Sequence, residues 1–130
     1  MKSRIFLYTS LYFGLLLTTA GCVKHQFYWG SYEDSLFSRQ QHAGPEGETG
    51  AATMLISTIN EAQSNPEHRV GPGIHADYGY LLLKQGNTDE AIAQFTQEGA
   101  LFPEAKPLMD TMITRIQERK KKEAEGKRAQ

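Results

Sequence analysis

The stretch from Pro72 to Pro103 constrains the fold of this chain most strongly, because its apolar residues recur at the spacing of two short helices. Each half has its own apolar stripe: Ile74, Tyr78, Leu81 and Leu82, then Ala91, Ile92, Phe95, Gly99 and Phe102. Gly86 lies between the stripes, where glycine can adopt the left-handed conformation that ends a helix. Asn87 or Thr88 is then expected to cap the second helix. The pattern predicts a helical hairpin.

Small residues on the predicted inner faces, Gly79 and Ala91, indicate that the two helices of the hairpin pack closely. The spacing resembles a tetratricopeptide unit at the following positions: Gly79, Gly86, Ala91, Phe95 and Pro103. Glu98 stands where that repeat usually has alanine, and no second copy follows at a period of about 34 residues. A single unit cannot bury its own apolar face, so flanking segments must cover it. We therefore expect an all-α domain of about four helices around the hairpin at 72–103.

Apolar periodicity predicts a helix on either side of the hairpin. One runs from about Gly50 to Gln63, after a polar loop from Gln40 to Gly50. The other is expected to open at Pro107, with this apolar face: Leu108, Met109, Met112, Ile113 and Ile116. Residues 118–130 have no apolar period, and we expect a charged, frayed tail there. The folded domain is accordingly assigned to residues 22–117.

The first 21 residues have the pattern of an export signal. Lys2 and Arg4 precede an apolar run from Ile5 to Leu17, which is shorter than the ~20 apolar residues of a membrane span. Small residues at Thr19–Gly21 come directly before Cys22. A plain signal peptide or an N-terminal anchor helix is one interpretation. The arrangement also resembles a bacterial lipobox, whose cysteine receives acyl chains, and we predict lipidation at Cys22, palmitate included.

Cys22 is the only cysteine of the chain, which excludes an intramolecular disulfide and a cysteine zinc site. Each methylene of an acyl chain contributes about 0.8 kcal/mol to membrane binding, so lipidation would anchor the protein firmly. Val23, rather than aspartate, follows the cysteine. By resemblance to known lipoprotein sorting, this implies the outer membrane, with the domain facing the periplasm.

The charges of the chain are unevenly distributed. Residues 22–114 contain five basic and twelve acidic residues, whereas residues 115–130 contain seven basic and three acidic ones. An acidic body argues against a nucleic-acid-binding protein. The basic run Arg119–Lys122 is usually a solvated helix end, which the helix dipole favours. Alternatively, it contacts anionic lipid or an acidic partner.

Five of the nine aromatic residues after Cys22 are grouped in a short stretch: Phe27, Tyr28, Trp29, Tyr32 and Phe37. Ser31 can cap a helix here, and Trp29, Tyr32 and Leu36 can share one face of it. Either the group packs as core on the open side of the hairpin, or it is a partner-binding patch, since Trp and Tyr anchor interfaces. Insertion of the rings among lipid headgroups is a third interpretation. We expect Trp29 to be buried and Phe37 to be exposed.

Two blocks resemble the signature of an uncharacterised family of short bacterial outer-membrane lipoproteins. The first block is residues 28–37, and the second has the following matches: Pro72-Gly73, Ala76, Gly79-Tyr80, Leu82, Gly86, Ala91-Ile92, Phe95, Glu98, Leu101–Glu104 and Met109-Asp110. Gly71 replaces the family's usual proline, and Ala105 its serine. Genes of the family typically lie beside those for a CsgG-like (curli-assembly-type) lipoprotein and another small lipoprotein. The resemblance implies a lipoprotein partner and no known activity, catalytic residue or cofactor.

No constellation of catalytic or metal-binding residues is evident in the sequence. The four histidines, His25, His42, His68 and His75, are isolated, and no HExxH, GxSxG or SxxK motif occurs. We therefore predict no catalysis, no cofactor, no metal and no small-molecule substrate. The leading hypothesis is a lipid-anchored adaptor or accessory protein of an outer-membrane lipoprotein or secretion-type complex. The alternatives are a cell-wall-associated enzyme or enzyme inhibitor, and a lipid- or cell-wall-binding module using the basic tail.

Overall fold

A computed structural model describes residues 27–128, so the predicted signal peptide and Cys22 lie outside the described residues. The described chain forms five helices: α1 (Tyr32–Gln41), α2 (Pro45–Ser64), α3 (Ile74–Lys84), α4 (Thr88–Leu101) and α5 (Lys106–Arg128). Within residues 27–128, an isolated bridge between Tyr28 and Val70 is the one β-type pairing. The predicted all-α class is confirmed, with five helices rather than about four.

The predicted loop from Gln40 to Gly50 is wrong. Helix α1 ends at Gln41, and α2 already begins at Pro45. Gly44 makes the turn with a φ of 107°, a conformation that glycine adopts without strain. Proline at the first helical position needs no backbone donor, so it opens α2.

Two glycines that look like loop residues in the sequence lie inside α2, where it meets α1. A side chain at Gly47 would collide with the backbone carbonyl of His42, and a Cβ at Gly50 would lie 3.1 Å from Ser38 Oγ. Glycine is therefore used here for the close approach of two helices rather than for a flexible loop. This close contact is the physical reason for the error in the predicted boundary.

The predicted hairpin is confirmed as α3 and α4, joined by a turn in which Gly86 has a φ of 86°. A Cβ at Gly79 would lie 3.0 Å from Phe95 Cε1 and 3.2 Å from the Ala91 carbonyl oxygen, so the two helices are as close as their small residues indicated. The expected side-chain cap of α4 is absent: Asn87 occupies the N-cap position, but its side chain makes no capping hydrogen bond.

The hairpin is covered on both sides, as a single repeat-like unit requires. Along the chain, each helix packs against the next one. The buried residues form two clusters. The first joins α2 to α3: Ala51, Ala52, Leu55, Ile59, Ala62, Val70, Ile74 and Leu81. The second joins α3, α4 and α5: Leu82, Ala91, Phe95, Met109 and Ile116. Leu81 and Leu82, adjacent in α3, belong to different clusters, so α3 is the shared wall of the core.

Helix α5 begins one residue before Pro107 and continues through Arg128, whereas a frayed tail was expected from Glu118. Met109 and Ile116 are buried as predicted, but Leu108 is 61% exposed. Successive residues of a helix are about 100° apart, which turns Leu108 away from the buried stripe. In the tail, Arg119 pairs with Glu123 and Lys121 with Glu125, each four residues apart on the helix. Lys120 Nζ also lies 2.6 Å from Asp89 Oδ1 of α4. Over residues 27–128, no helix has the length and apolarity needed to cross a bilayer.

Candidate functional site

The first described residues run alongside the connection between α2 and α3. The amide of Tyr28 donates to the Arg69 carbonyl at 2.6 Å, and the amide of Gly71 donates to the Tyr28 carbonyl at 3.2 Å. These two bonds form the parallel bridge between Tyr28 and Val70. Backbone pairing therefore fixes the aromatic segment (residues 27–32) on the body of the domain.

Phe27 and Tyr28 use their rings to hold this segment in place. Phe27 meets Phe102 edge-on, with ring centroids 5.9 Å apart, and the guanidinium of Arg69 lies 5.4 Å from the Phe27 centroid. Tyr28 stacks on His68 with centroids 4.4 Å apart and planes 4° from parallel. Both residues are half-buried, so much of their apolar area is already used within the domain.

The hydroxyl of Tyr28 also donates to the carboxylate of Glu61. This hydrogen bond raises the pKa of Tyr28 and lowers the pKa of Glu61, because it stabilises the neutral phenol and the charged carboxylate together. Ser57 Oγ donates to the other carboxylate oxygen at 2.9 Å and lowers the pKa of Glu61 further. The aromatic segment is thereby tied to α2 through a polar side-chain contact as well as through its rings.

The expectation that Trp29 is buried is wrong, since 40% of the residue is exposed. One face of its indole covers Gly71, where an added Cβ would lie 2.8 Å from Trp29 Cε3. Tyr32 lies on its flank, with ring centroids 5.6 Å apart and planes inclined at 50°. The indole therefore packs over the turn that leads into the hairpin, not beneath the hairpin, and its outer face remains accessible.

Helix α1 continues this accessible surface. Ser35 is its one buried residue, whereas Leu36 is 42% exposed and Phe37, as expected, is 57% exposed. Leu36 lies one helical turn after Tyr32, so the two side chains are neighbours along α1. We define the α1 apolar face as Trp29, Leu36 and Phe37, with Tyr32 at its inner edge, half-buried against the core formed by α2 and α3.

Polar contacts fix α1 on its buried side. Arg39 forms a two-pronged ion pair with Asp77 of α3, with Nη1–Oδ1 and Nη2–Oδ2 distances of 2.9 and 2.6 Å. The amide of Ser31 donates to Thr58 Oγ1 at 3.0 Å. Burial raises the pKa of Tyr32, and the charge of Asp77 adds to that effect. The α1 apolar face is consequently presented by a helix with a fixed position.

A cleft of about 250 Å³ opens beside the aromatic segment, where α2 and α4 end and α3 begins. Its lining comes from four segments of the chain: Ala62, Gln63, His68, Arg69, Val70, His75, Gln97, Leu101 and Phe102. Phe27 packs against two of these residues, Arg69 and Phe102, and so borders the cleft.

Two buried polar side chains lie close to the cleft and have partners of their own. Glu98, 2% exposed, accepts hydrogen bonds from the amides of Gly73 at 2.6 Å and Ala76 at 3.3 Å. His75, 3% exposed, contacts Gln94 Oε1 through Nδ1 at 2.7 Å. An amide oxygen only accepts, so His75 Nδ1 carries the hydrogen. In the part of the chain from Phe27 to Arg128, no three His, Cys, Asp or Glu residues are arranged to hold a metal ion.

A family model described as a domain of unknown function, DUF4810, matches residues 26–112, which is more than half of the chain. The chain belongs to the DUF4810 family. The matched region of this DUF4810 protein includes the aromatic segment, all of α1 to α4 and the start of α5. Neither the curated proteins nor the solved structures gave a match to the chain.

The five aromatic residues predicted as a partner-binding group divide into two sets in the DUF4810 domain. Phe27, Tyr28 and Tyr32 pack on the body, whereas Trp29 and Phe37 are on the α1 apolar face. Leu36 joins this face, although the sequence indicated it only as part of a helical stripe. The cleft was missed entirely, because its residues come from four segments with no common spacing.

Proposed function

We propose that this DUF4810 protein is a lipid-anchored adaptor that faces the periplasm, binds another outer-membrane lipoprotein through the α1 apolar face, and catalyses no reaction. The observation that carries this proposal is the exposure of Leu36 and Phe37 side by side on a helix that is otherwise fixed. Large apolar side chains grouped on a surface and rimmed by polar residues are typical of protein-binding sites.

The rigidity of α1 supports the same proposal. Binding is weakened when side chains and loops must be ordered on contact, and a preorganised surface avoids part of that cost. The ion pair between Arg39 and Asp77 and the bond from Ser31 to Thr58 hold α1 before any partner arrives. A partner would therefore meet the rings of Trp29 and Phe37 on an ordered surface.

The position of the proposed anchor limits where a partner can be. Cys22 comes five residues before Phe27, and an extended chain covers at most about 3.6 Å per residue. With Cys22 acylated, Phe27 stays within roughly 18 Å of the lipid surface. A partner for α1 would then bind close to the membrane, where a lipid-anchored protein is held as well, and the family resemblance implies a CsgG-like lipoprotein.

The alternative functions receive less support. In the basic tail, Arg119, Lys120 and Lys121 form ion pairs with acidic residues, which reduces the positive charge available to anionic lipid. For an enzyme or enzyme inhibitor, the cleft has no carboxylate in its lining, and the nearby carboxylate of Glu98 is committed to the start of α3. Neither arrangement favours those functions over protein binding.

Capture from solubilised envelopes tests the docking surface. Tagged full-length wild type should recover one outer-membrane lipoprotein, and Phe37→Ser should lose it. Leu108→Ser is the matched control, because Leu108 is as exposed as Phe37 but lies on α5, and it should retain the partner. If both variants recover the same lipoprotein as wild type, α1 is not the docking surface and the proposal fails.

The anchor is tested separately. Cys22→Ala should abolish metabolic labelling of the protein with acyl chains and leave unprocessed precursor. A Cys22→Ala variant that still incorporates label would refute lipidation at this residue.

A further inference from the structure

The cleft shares no residue with the α1 apolar face. Its volume of about 250 Å³ is slightly below the ~300–1,000 Å³ of typical small-molecule sites, so it suits a group about the size of one amino-acid residue. Val70, Leu101 and Phe102 supply apolar walls, and Leu101 is 47% exposed at the edge. The apolar part of the cleft can therefore receive one apolar side chain.

The charge of the lining indicates what else the ligand carries. The residues that line the cleft include Arg69, His68 and His75 but no carboxylate. The two imidazoles already contact Asn65 and Gln94. Arg69 forms no ion pair within residues 27–128, so its guanidinium is the cation left for a ligand.

The aromatic segment holds Arg69 in position for this role. Phe27 lies against its guanidinium at 5.4 Å, and the amide of Tyr28 binds its carbonyl oxygen at 2.6 Å. An arginine bound on an aromatic face keeps its N–H donors for a carboxylate, with which it forms two parallel hydrogen bonds. Gln63 and Gln97 complete the lining, and each amide can both donate and accept, as a peptide backbone requires.

We infer that the cleft binds the C-terminal residue of a polypeptide, with its carboxylate on Arg69 and an apolar side chain between Leu101 and Phe102. This inference rests on the proposed function, because it takes a protein as the ligand. It adds a second contact, in which an arginine binds the carboxylate at the end of the partner's chain. The partner would then be held at two places, by the α1 apolar face and by its own chain end.

Calorimetric titration of detergent-solubilised full-length protein tests the inference. The probe is an N-acetylated tripeptide ending in leucine, compared with the same peptide carrying a C-terminal amide. The free acid should bind about tenfold more tightly or better, because only the acid pairs with Arg69. Arg69→Gln should remove that difference, and Leu101→Ala should weaken both peptides. Phe37→Ser, on the α1 apolar face, should bind the acid as wild type does.

The outcomes separate this inference from the proposed function. Any of three results would overturn the inference: equal affinity for acid and amide, no binding of either peptide, or an unchanged preference of Arg69→Gln for the acid. This holds even if Phe37-dependent capture of a lipoprotein succeeds. Hexanoate, added as a competitor, should displace the peptide only weakly. If hexanoate binds as tightly as the peptide, the ligand is a small carboxylate and not a polypeptide end.

Discussion

The amide of Gly73 donates a 2.6 Å hydrogen bond to the carboxylate of Glu98, which lies 25 residues later in the chain. The first N–H groups of a helix have no partner within the helix, and a local side chain usually accepts from them. At the start of α3 no local side chain does so, and Glu98 of α4 accepts from Gly73 and Ala76 instead. The negative charge also faces the positive end of the α3 dipole. One buried carboxylate thus fastens the two helices of the hairpin together.

Replacing Glu98 by alanine should lower the free energy of unfolding by about 1–3 kcal/mol, since two donors at the start of α3 would lose their acceptor. Urea denaturation followed by circular dichroism measures this change. Glu104→Ala is the control, because Glu104 is an exposed carboxylate close to the same end of α4, and it should have little effect. Equal effects of the two substitutions would show that the cap does not stabilise the hairpin.

Gly79→Leu should destabilise the domain through overpacking, by about 1–3 kcal/mol or more. The neighbours at 3.0–3.2 Å include the backbone carbonyl of Ala91, which cannot easily move aside. Gly126→Leu is the matched control in another helix, since nothing lies within 4 Å of an added Cβ there. Thermal melting of both variants checks the prediction, which fails if Gly79→Leu melts like Gly126→Leu.

Trp29→Ala should cost clearly less stability than Phe95→Ala, although tryptophan is the larger residue. Phe95 is 1% exposed, and loss of a buried aromatic ring costs about 3–5 kcal/mol. Trp29 packs over Gly71 and beside Tyr32, and part of its area already contacts water. Chemical denaturation of the two variants compares them, and an equal loss would mean that Trp29 is a core residue after all.

The contact between Tyr28 and Glu61 should appear in titrations. The pKa of Tyr28 is raised above 10.0 and the pKa of Glu61 is lowered below 4.5, both chiefly by their shared hydrogen bond. The stabilisation that this hydrogen bond gives the folded domain is therefore present at neutral pH. It is lost as the pH rises through the raised pKa of Tyr28, or falls through the lowered pKa of Glu61.

Nuclear magnetic resonance of the Tyr28 ring measures this coupling. Glu61→Gln should move the titration of Tyr28 down toward 10.0, because the hydrogen bond to a charged acceptor, and with it the neighbouring negative charge, is removed. Tyr78 is an internal control, since its pKa is raised by burial and by Glu90, and its titration should not change. A Tyr28 titration that is the same in wild type and Glu61→Gln would contradict the contact.

The hairpin could be predicted because its residues meet neighbours three or four positions away, and such contacts leave a periodic pattern in the sequence. The start of α2 could not, since Gly47 is required by the close approach of the His42 carbonyl at the end of α1, and glycine otherwise signals a loop. The exposure of Trp29 depends on where the turn at Gly71 passes. In the same way, the cleft depends on four chain segments that meet only in the folded domain.

Site-specific photocrosslinking in intact cells tests the central claim, that the α1 apolar face binds a membrane-associated partner. A photoreactive amino acid at Phe37 should crosslink to one outer-membrane lipoprotein, and the same amino acid at Leu108 on α5 should not. The Phe37 crosslink should disappear when Cys22 is replaced by alanine, because the domain then no longer reaches the outer membrane. Absence of any protein crosslink at Phe37, or the same partner from both positions, would contradict the account.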